Sequence, residues 1–379
     1  MKPRILFYVM HLQGIGHVVR ASRIASYLAS HGFEVALVMG GMPLQALQFE
    51  NVKIVQLAPL RMAADSFRKL LKSDGTPVDD AYKVARFDQL RETLMSWRPD
   101  IVMVEAYPFD RPQMHFELVP FLEMAAALLP RPIIVSSVRD ILQKKDKPER
   151  DDITLELLQT FFDHVLVHGD PHLATLQDTF RHADKIQEMV HYTGIVAPSA
   201  FTPFAEPAYD VVVTSGGGTT AKTVLETALA AKPATPLANA RWVVTLGHNV
   251  DSETADNIHA AGRSVGVTVV DFLPELGRHM LTASLAIAQC GYNTAVDLLR
   301  AGCPAVLCPY AGIKQNEQLR RAELWDARGL AALVREDELT SAKLIGAIDH
   351  ALVLPRPALD INMSGTENTV ELLRRFLAV

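Results

Sequence analysis

His17 follows two glycines, Gly14 and Gly16, in the stretch HLQGIGHVVRAS. An imidazole at the first turn of a helix sits in the positive end of the helix dipole. Its pKa is expected to fall, leaving it neutral at pH 7 and able to act as a general base. A surface histidine that merely caps the helix would occupy the same place. A turn of this kind, with a strand before it and a helix after it, brings backbone N–H groups to an anion such as a phosphate. It is not a dinucleotide fingerprint. Val19 stands where a third glycine belongs, and Met39-Gly40 where an acidic residue should end the second strand. No G-x-x-x-x-G-K-[ST] P-loop occurs. Nicotinamide or flavin dehydrogenation and P-loop chemistry are therefore set aside.

A second glycine turn, Gly216, Gly217 and Gly218 in SGGGTT, follows another strand pattern and invites the same phosphate-facing reading. Its alternative is a tight turn that packs a helix on a strand. Glu105 ends the apolar run DIVMVE, and Arg139-Asp140 end the next one. Binding sites of open α/β sheets lie along the C-terminal ends of the strands. Glu105 could thus orient His17 or hold an acceptor, and Arg139 and Asp140 could border an acceptor. A solvated or ion-paired carboxylate is the alternative for each. His168 and His172 are four apart, but Gly169-Asp170-Pro171 interrupts any helix and no third ligand is near in sequence, so no metal pair is expected. No strand ends in D-x-D. Asp79-Asp80 and Asp151-Asp152 lie in polar stretches read as solvated, and no metal is expected anywhere.

The elements that must position these residues follow from the apolar pattern. The 379 residues, 49% hydrophobic and 21% charged, are enough for two domains with real cores and argue against disorder. A net charge of −6, with Lys and Arg dispersed, gives no reason to expect nucleic acid. Three cysteines with no C-x-x-C pair suggest a reduced, cytosolic protein. The N-terminus runs straight into a glycine turn and reads as a first strand, not a signal peptide. No long apolar stretch suits a membrane span.

Strands are predicted at 5–10, 34–39, 101–105, 132–137 and 164–168, and again at 210–214, 242–246, 267–270, 285–289 and 305–308. Helical stretches lie between them. Val18, Ala21, Ala25 and Leu28 form one helix face, and Val224, Leu225, Ala228 and Leu229 another. Alternation of this kind implies an α/β fold with parallel sheets covered on both faces. The aperiodic stretch 194–208, GIVAPSAFTPFAEPA, reads as a linker between a domain at 1–193 and one at 209–355. A tail at 356–379 ends in a helix whose Ser364 and Glu367 have capping-box spacing. Residues 57–98 are long and mixed. An amphipathic helix carrying Phe67, Leu70 and Leu71 with Arg68, Lys69 and Lys72 could touch a membrane surface, or be an ordinary surface helix.

The segment 285–331, LAIAQCGYNTAVDLLRAGCPAVLCPYAGIKQNEQLRRAELWDARGLA, reads strand, glycine turn, helix, Gly-x-Pro, strand, loop, helix. It resembles the donor-binding region of GT-B glycosyltransferases of the MurG-like and UDP-glycosyltransferase-like group, with a glycosyltransferase family 28 type C-terminal domain. GIGHVVRAS resembles the opening of the same enzymes. SSVRDIL at 136–142 and VHGDP at 167–171 are similar to a group of predicted bacterial glycosyltransferases. The resemblance implies two Rossmann-like doubly wound domains facing across a cleft, the first for the acceptor, the second for the donor, with a C-terminal helix. It implies that Tyr292, Asn293 and Thr294, after Gly291, face the donor diphosphate, with Gly14, Gly16 and Gly216 to Gly218 also on the donor. Asp297, where the family often has Glu, would accept from the ribose hydroxyls. Glu317 and Gln318 would bind the sugar hydroxyls, and Phe272 and Leu273 would border the base. His17 would be the catalytic base. The chain has fewer turn glycines than lipid II synthase and lacks the arginine that follows that enzyme's TGN-like motif.

The implied activity is an inverting, metal-independent transfer from a nucleotide diphosphate sugar, UDP-linked by family habit, to an acceptor hydroxyl. No cofactor is expected beyond this co-substrate. The implied setting is cytoplasmic, with peripheral contact at the inner membrane face left open. A nucleotide-sugar hydrolase remains the alternative, because the UDP-sugar hydrolase of pseudaminic acid synthesis resembles the chain in its G-x-G-H-x-x-R opening, Gly14 to Arg20. A non-catalytic nucleotide-sugar-binding module is another. A 2-epimerase lacks support for want of paired acids and bases.

Overall fold

The computed structural model describes residues 2–12, 14–44, 49–63, 66–142, 148–215, 222–247, 250–310, 316–355 and 361–378, with the side chains of 66–68 excepted. The chain divides into two compact units. One comprises Met1–Val196 with Asn362–Val379, the other Ala197–Ile361.

In the first unit the order is β1 Arg4–Val9, α1 Gly16–Ser30, β2 Glu34–Met39, β3 Val52–Gln56, β4 Arg61–Ala63, β5 Ser66–Leu71, α2 Asp80–Trp97, β6 Ile101–Glu105, α3 His115–Ala126, β7 Ile133–Arg139, α4 Pro148–Phe161, β8 His164–His168 and β9 Val190–Tyr192. Seven strands form one sheet in the order β3-β2-β1-β6-β7-β8-β9, all parallel. Alternate residues serve opposite faces. Leu6, Tyr8, Val102 and Val104 belong to one core cluster. Ile5, Phe7, Val9 and Met103 belong to another, under α1. A sheet buried on both sides needs unbroken apolar strands, which is why RILFYV and IVMVE carry almost no polar residues.

The second unit runs β10 Val211–Thr214, α5 Lys222–Ala231, β11 Trp242–Thr245, α6 Ser252–Ser264, β12 Thr268–Val270, α7 Leu276–Thr282, β13 Leu285–Ala288, α8 Tyr292–Ala301, β14 Ala305–Leu307, α9 Glu317–Asp326, β15 Ala332–Leu333 and α10 Ser341–Val353. Its six strands are also parallel, in the order β12-β11-β10-β13-β14-β15. The final helix, α11 Gly365–Leu377, belongs to the first unit. Its Val370 and Leu373 join the core beneath α1.

Three expectations need correction. Ser66–Leu71 is not helical: it is a strand paired antiparallel with Arg61–Ala63. The turn at Asp74 and Gly75, where Gly75 has φ +86, ends this ribbon, and cross-strand pairing overrides helical spacing there. At the last helix, Ser364 precedes the first turn but its side chain makes no capping bond, and Glu367 accepts from Thr366 instead. Asp151 is buried, although Asp152 beside it is exposed and pairs with Arg181 and His182. Among the described residues, no helix is long and apolar enough to cross a membrane, and no three His, Cys, Asp or Glu side chains are grouped to hold a metal.

Candidate active site

In the first unit the site grows from the C-terminal ends of adjacent strands. β1 and β6 are paired, so the turn after β1 delivers the start of α1 beside Glu105, the last residue of β6. His17 and Arg20 are three apart on α1 and therefore share a face. Both reach the same carboxylate. His17 Nδ1 lies 3.1 Å from Glu105 Oε1, and the Arg20 guanidinium bonds the same oxygen. The other oxygen, Oε2, accepts from the Ser137 hydroxyl at 2.9 Å. Glu105 and Ser137 are register partners on β6 and β7, so their side chains project from the same face of the sheet.

Electrostatics sharpen these roles. Burial would push the Glu105 carboxyl up, but Arg20 and then the His17 hydrogen bond carry it down to about 2. Glu105 is thus ionised and can only accept, which puts a proton on His17 Nδ1 and leaves Nε2 with a lone pair. The His17 side chain retains 14% exposure. Burial and the charge of Arg111 depress it to about 4, against the pull of Glu105. The sequence attributes a lowered pKa to the helix terminus; the causes here are burial and Arg111. Arg111 adopts a left-handed conformation with φ +65 just after Asp110. Burial would raise Asp110, yet Arg111, His17 and Arg139 bring it to about 2. Arg139 and Asp140 end β7 and follow it, beside this group. Asp140 is approached so closely by Gly169 that a Cβ there would lie 2.8 Å from the Asp140 Cα.

In the second unit, β13 leads through Gly291 into α8, so Tyr292, Asn293 and Thr294 form the first turn and Asp297 the second. Gly291 has φ −64 and ψ 150, which any residue tolerates. A Cβ there would meet nothing within 4 Å. The same is true at Gly14. Neither glycine is demanded by packing, in contrast to Gly41, where a Cβ would strike the His11 backbone. Glu317 and Gln318 open α9, and Gln318 Oε1 lies 3.4 Å from the Tyr310 N–H. Arg321, buried on α9, donates to the Cys290 carbonyl at 2.7 Å and so ties α9 to the turn before α8. Phe272 is exposed and Leu273 buried, just past β12. Gly216, Gly217 and Gly218 lie outside the described residues.

Strand-end position and glycine turns point to His17 and Glu105 from sequence. They do not point to Arg20, Arg111, Ser137 or Arg321. The spacing of Arg20 three residues after His17 was the one available signal. His168, set aside as a metal ligand, is fully buried against Ser137.

Residues 211–371 match the model of the glycosyltransferase family 28 C-terminal domain. A stretch of 116 residues is 30% identical to the UDP-N-acetylglucosamine--N-acetylmuramyl-(pentapeptide) pyrophosphoryl-undecaprenol N-acetylglucosamine transferase of Tolumonas auensis, covering 30% of this chain and 33% of that protein. The chain thus spans about a third of the length of that curated relative. MurG of Acinetobacter baumannii is similar in structure, with TM-score 0.58 and 16% identity over 98% of this chain and 100% of the other. The glycosyltransferase VinC in complex with DTDP is similar with TM-score 0.61 and 15% identity over 97% and 94%. These likenesses, with two parallel Rossmann-like sheets and a returning C-terminal helix, define the class: a GT-B protein. Within that class, residues 211–371 match the family 28 C-terminal domain, and 116 residues are similar to the Tolumonas auensis transferase.

Proposed function

We propose that the chain is an inverting glycosyltransferase that moves a sugar from a nucleotide diphosphate, UDP in the first instance, to an acceptor hydroxyl without a metal ion. The acceptor O–H gives its proton to His17 Nε2 while its oxygen attacks the anomeric carbon. The bond from that carbon to the diphosphate oxygen breaks in the same displacement, so the configuration inverts. Glu105 stabilises the imidazolium that forms, through Nδ1–H. The leaving diphosphate takes the bond's electrons, and its charge is met by the N–H groups of Tyr292, Asn293 and Thr294 at the tip of α8. Gly291 leaves room for that approach, and Gly14 is assigned to the donor as well. Gly16 and Gly216 to Gly218 complete the donor contacts. Asp297 takes the ribose hydroxyls, Glu317 and Gln318 the sugar hydroxyls, and Phe272 with Leu273 the base. Arg139 and Asp140 border the acceptor. A cytoplasmic setting, with peripheral contact at the inner membrane face, belongs to this proposal.

The observation that carries it is the His17–Glu105 contact of 3.1 Å in surroundings that keep the imidazole neutral. The UDP-N-acetylglucosamine in the name of the Tolumonas auensis relative supports UDP, and the DTDP complex makes dTDP-sugars the second donors to try. The hydrolase reading draws on Arg20, whose bond to Glu105 gives the G-x-G-H-x-x-R spacing a structural purpose. Product analysis with UDP- and dTDP-sugars, with and without sugar-alcohol and lipid-linked acceptors, separates the two. Transfer product is expected; donor hydrolysis that no acceptor suppresses would favour water as the acceptor. His17→Ala is expected to lower kcat by about 100-fold or more while leaving the thermal shift given by UDP intact. Unchanged turnover would remove His17 from the chemistry.

A further inference from the structure

Behind Glu105 the hydrogen bonds continue away from solvent. Ser137 Oγ lies 2.9 Å from Glu105 Oε2 and 2.9 Å from His168 Nε2. His168 Nδ1 lies 2.9 Å from Thr193 Oγ1. Glu105 and His168 end β6 and β8, Ser137 lies two residues before the end of β7, and Thr193 follows β9; the four strands are adjacent in the sheet. Ser137, His168 and Thr193 have no exposed surface. None of them can touch a substrate, yet they form one row that ends on the carboxylate holding the base.

We infer that Ser137 and His168 are positioning residues that hold the Glu105 carboxylate in one orientation, and so fix His17 with its proton on Nδ1 and its lone pair on Nε2. The inference rests on the reading of His17 as the base. The protons in the row can be assigned from what each group can donate. An ionised Glu105 only accepts, so the single Ser137 proton lies toward Oε2. Ser137 Oγ must then accept from His168, which places that ring's proton on Nε2. A neutral imidazole has one N–H, so Nδ1 accepts from Thr193. Burial first, then the charge of Arg20, keeps His168 neutral by lowering it to about 3, against the opposing pull of Glu105. The His168 and Ser137 donors therefore point toward Glu105, while the Thr193 proton is shared between His168 Nδ1 and the Gly194 carbonyl, each 2.9 Å away. The other His168 tautomer would turn the Ser137 proton away and set two lone pairs against each other at Oε2. The titratable and charged groups that act on His17 are Arg111 and Asp110 after β6, Glu105 at its end and Arg20 on α1; Arg139 acts on Asp110, and His168 lies behind Glu105.

The test is the tautomer of His17, read by NMR on the full chain labelled with 15N-histidine, together with turnover. Wild type is expected to show a pyrrole-like Nδ1 and a pyridine-like Nε2 at His17. Ser137→Ala and His168→Phe are expected to give a mixture of tautomers and a fall in kcat of about 10-fold, with donor KM unchanged. His168→Gln places an amide N–H where the ring has Nε2–H, and is expected to restore both readouts to within about 3-fold of wild type. Circular dichroism identifies a variant that does not fold, and Ser137→Ala and His168→Gln decide the matter if His168→Phe does not. A single Nδ1–H tautomer with unchanged kcat in Ser137→Ala overturns the inference. So does a His168→Gln protein as impaired as His168→Phe. The tautomer needs no substrate, so a wild type without turnover sinks the proposed function while leaving this inference to stand or fall on the spectra.

Discussion

At the scale of single residues, the proposed base His17 is lowered first by burial and then set by two opposing neighbours. Glu105 raises the affinity of His17 for a proton and Arg111 lowers it. Removing Arg111 as Arg111→Met is therefore expected to raise the His17 pKa. The acid limb of the pH profile of kcat/KM should move to higher pH, because a larger share of the imidazole is then protonated at a given pH. A limb that stays in place or moves down would show that Arg111 does not act on the base. His17 and Glu105 are legible in the sequence because each occupies a position with a physical meaning, a helix start after glycines and the end of an apolar strand. Ser137 and His168 are not. They belong to apolar strands, SSVR and VLVH, where a polar residue reads as an irregularity until the register pairs Ser137 with Glu105 and sets His168, at the end of β8, two residues beyond Leu166, the partner of Ser137.

At the scale of elements, α8 and the turn before it carry the donor proposal. Gly291 has an ordinary backbone conformation and empty space above its Cα. Gly291→Ala should lower the thermal midpoint by no more than about 2–4 °C, since alanine at this N-cap costs about 1 kcal/mol relative to glycine. The stabilisation given by UDP and the donor KM should each worsen by about 10-fold or more, because a methyl group would hold the diphosphate off the helix tip. An alanine variant that binds UDP as well as wild type would mean that the open space serves no ligand. The strands that frame this site were readable, because parallel strands buried on both faces must be continuously apolar. The ribbon of β4 and β5 was not. RMA and SFRKLL carry basic and apolar residues at helical spacing, and only their pairing with each other makes them strands. β15, two residues long, and β9, three long, are too short to leave a pattern.

At the scale of the whole molecule, buried imidazoles tie stability to pH. His17 and His168 are lowered to about 4 and about 3, and His11, His164, His191 and His279 are lowered as well, with burial the largest cause in each. The folded state keeps these rings neutral, whereas the unfolded chain takes up protons near pH 6.5. Stability is thus complete above pH 6.5 and is lost as pH falls toward the folded values. Glu105 and Asp110 are depressed instead, to about 2 each. Their contribution persists until pH drops below the ordinary carboxylate range, so they do not oppose the loss between pH 7 and 5. His17 and His168 alone account for about 3–4 kcal/mol between pH 6.5 and 5. The thermal midpoint should fall steeply over that interval, and a flat profile there would contradict the neutral burial of these rings.

The return of α11 to the first unit makes the second unit an insertion within the first. The two crossings run side by side: Ile195 N–H donates to the Asn362 carbonyl at 2.7 Å, and Gly365 N–H donates back to Ile195 at 3.0 Å. Asn368 and Arg374 then clasp Thr193 and His31. Residues 1–196 are consequently an incomplete fold, missing the last layer over the helix that bears His17. A graft that splices 196 to 362 through a short bridge would recover that layer and yield a free-standing first unit. A stop codon at 362 would do the reverse, removing the roof from α1 while the second unit kept all its residues.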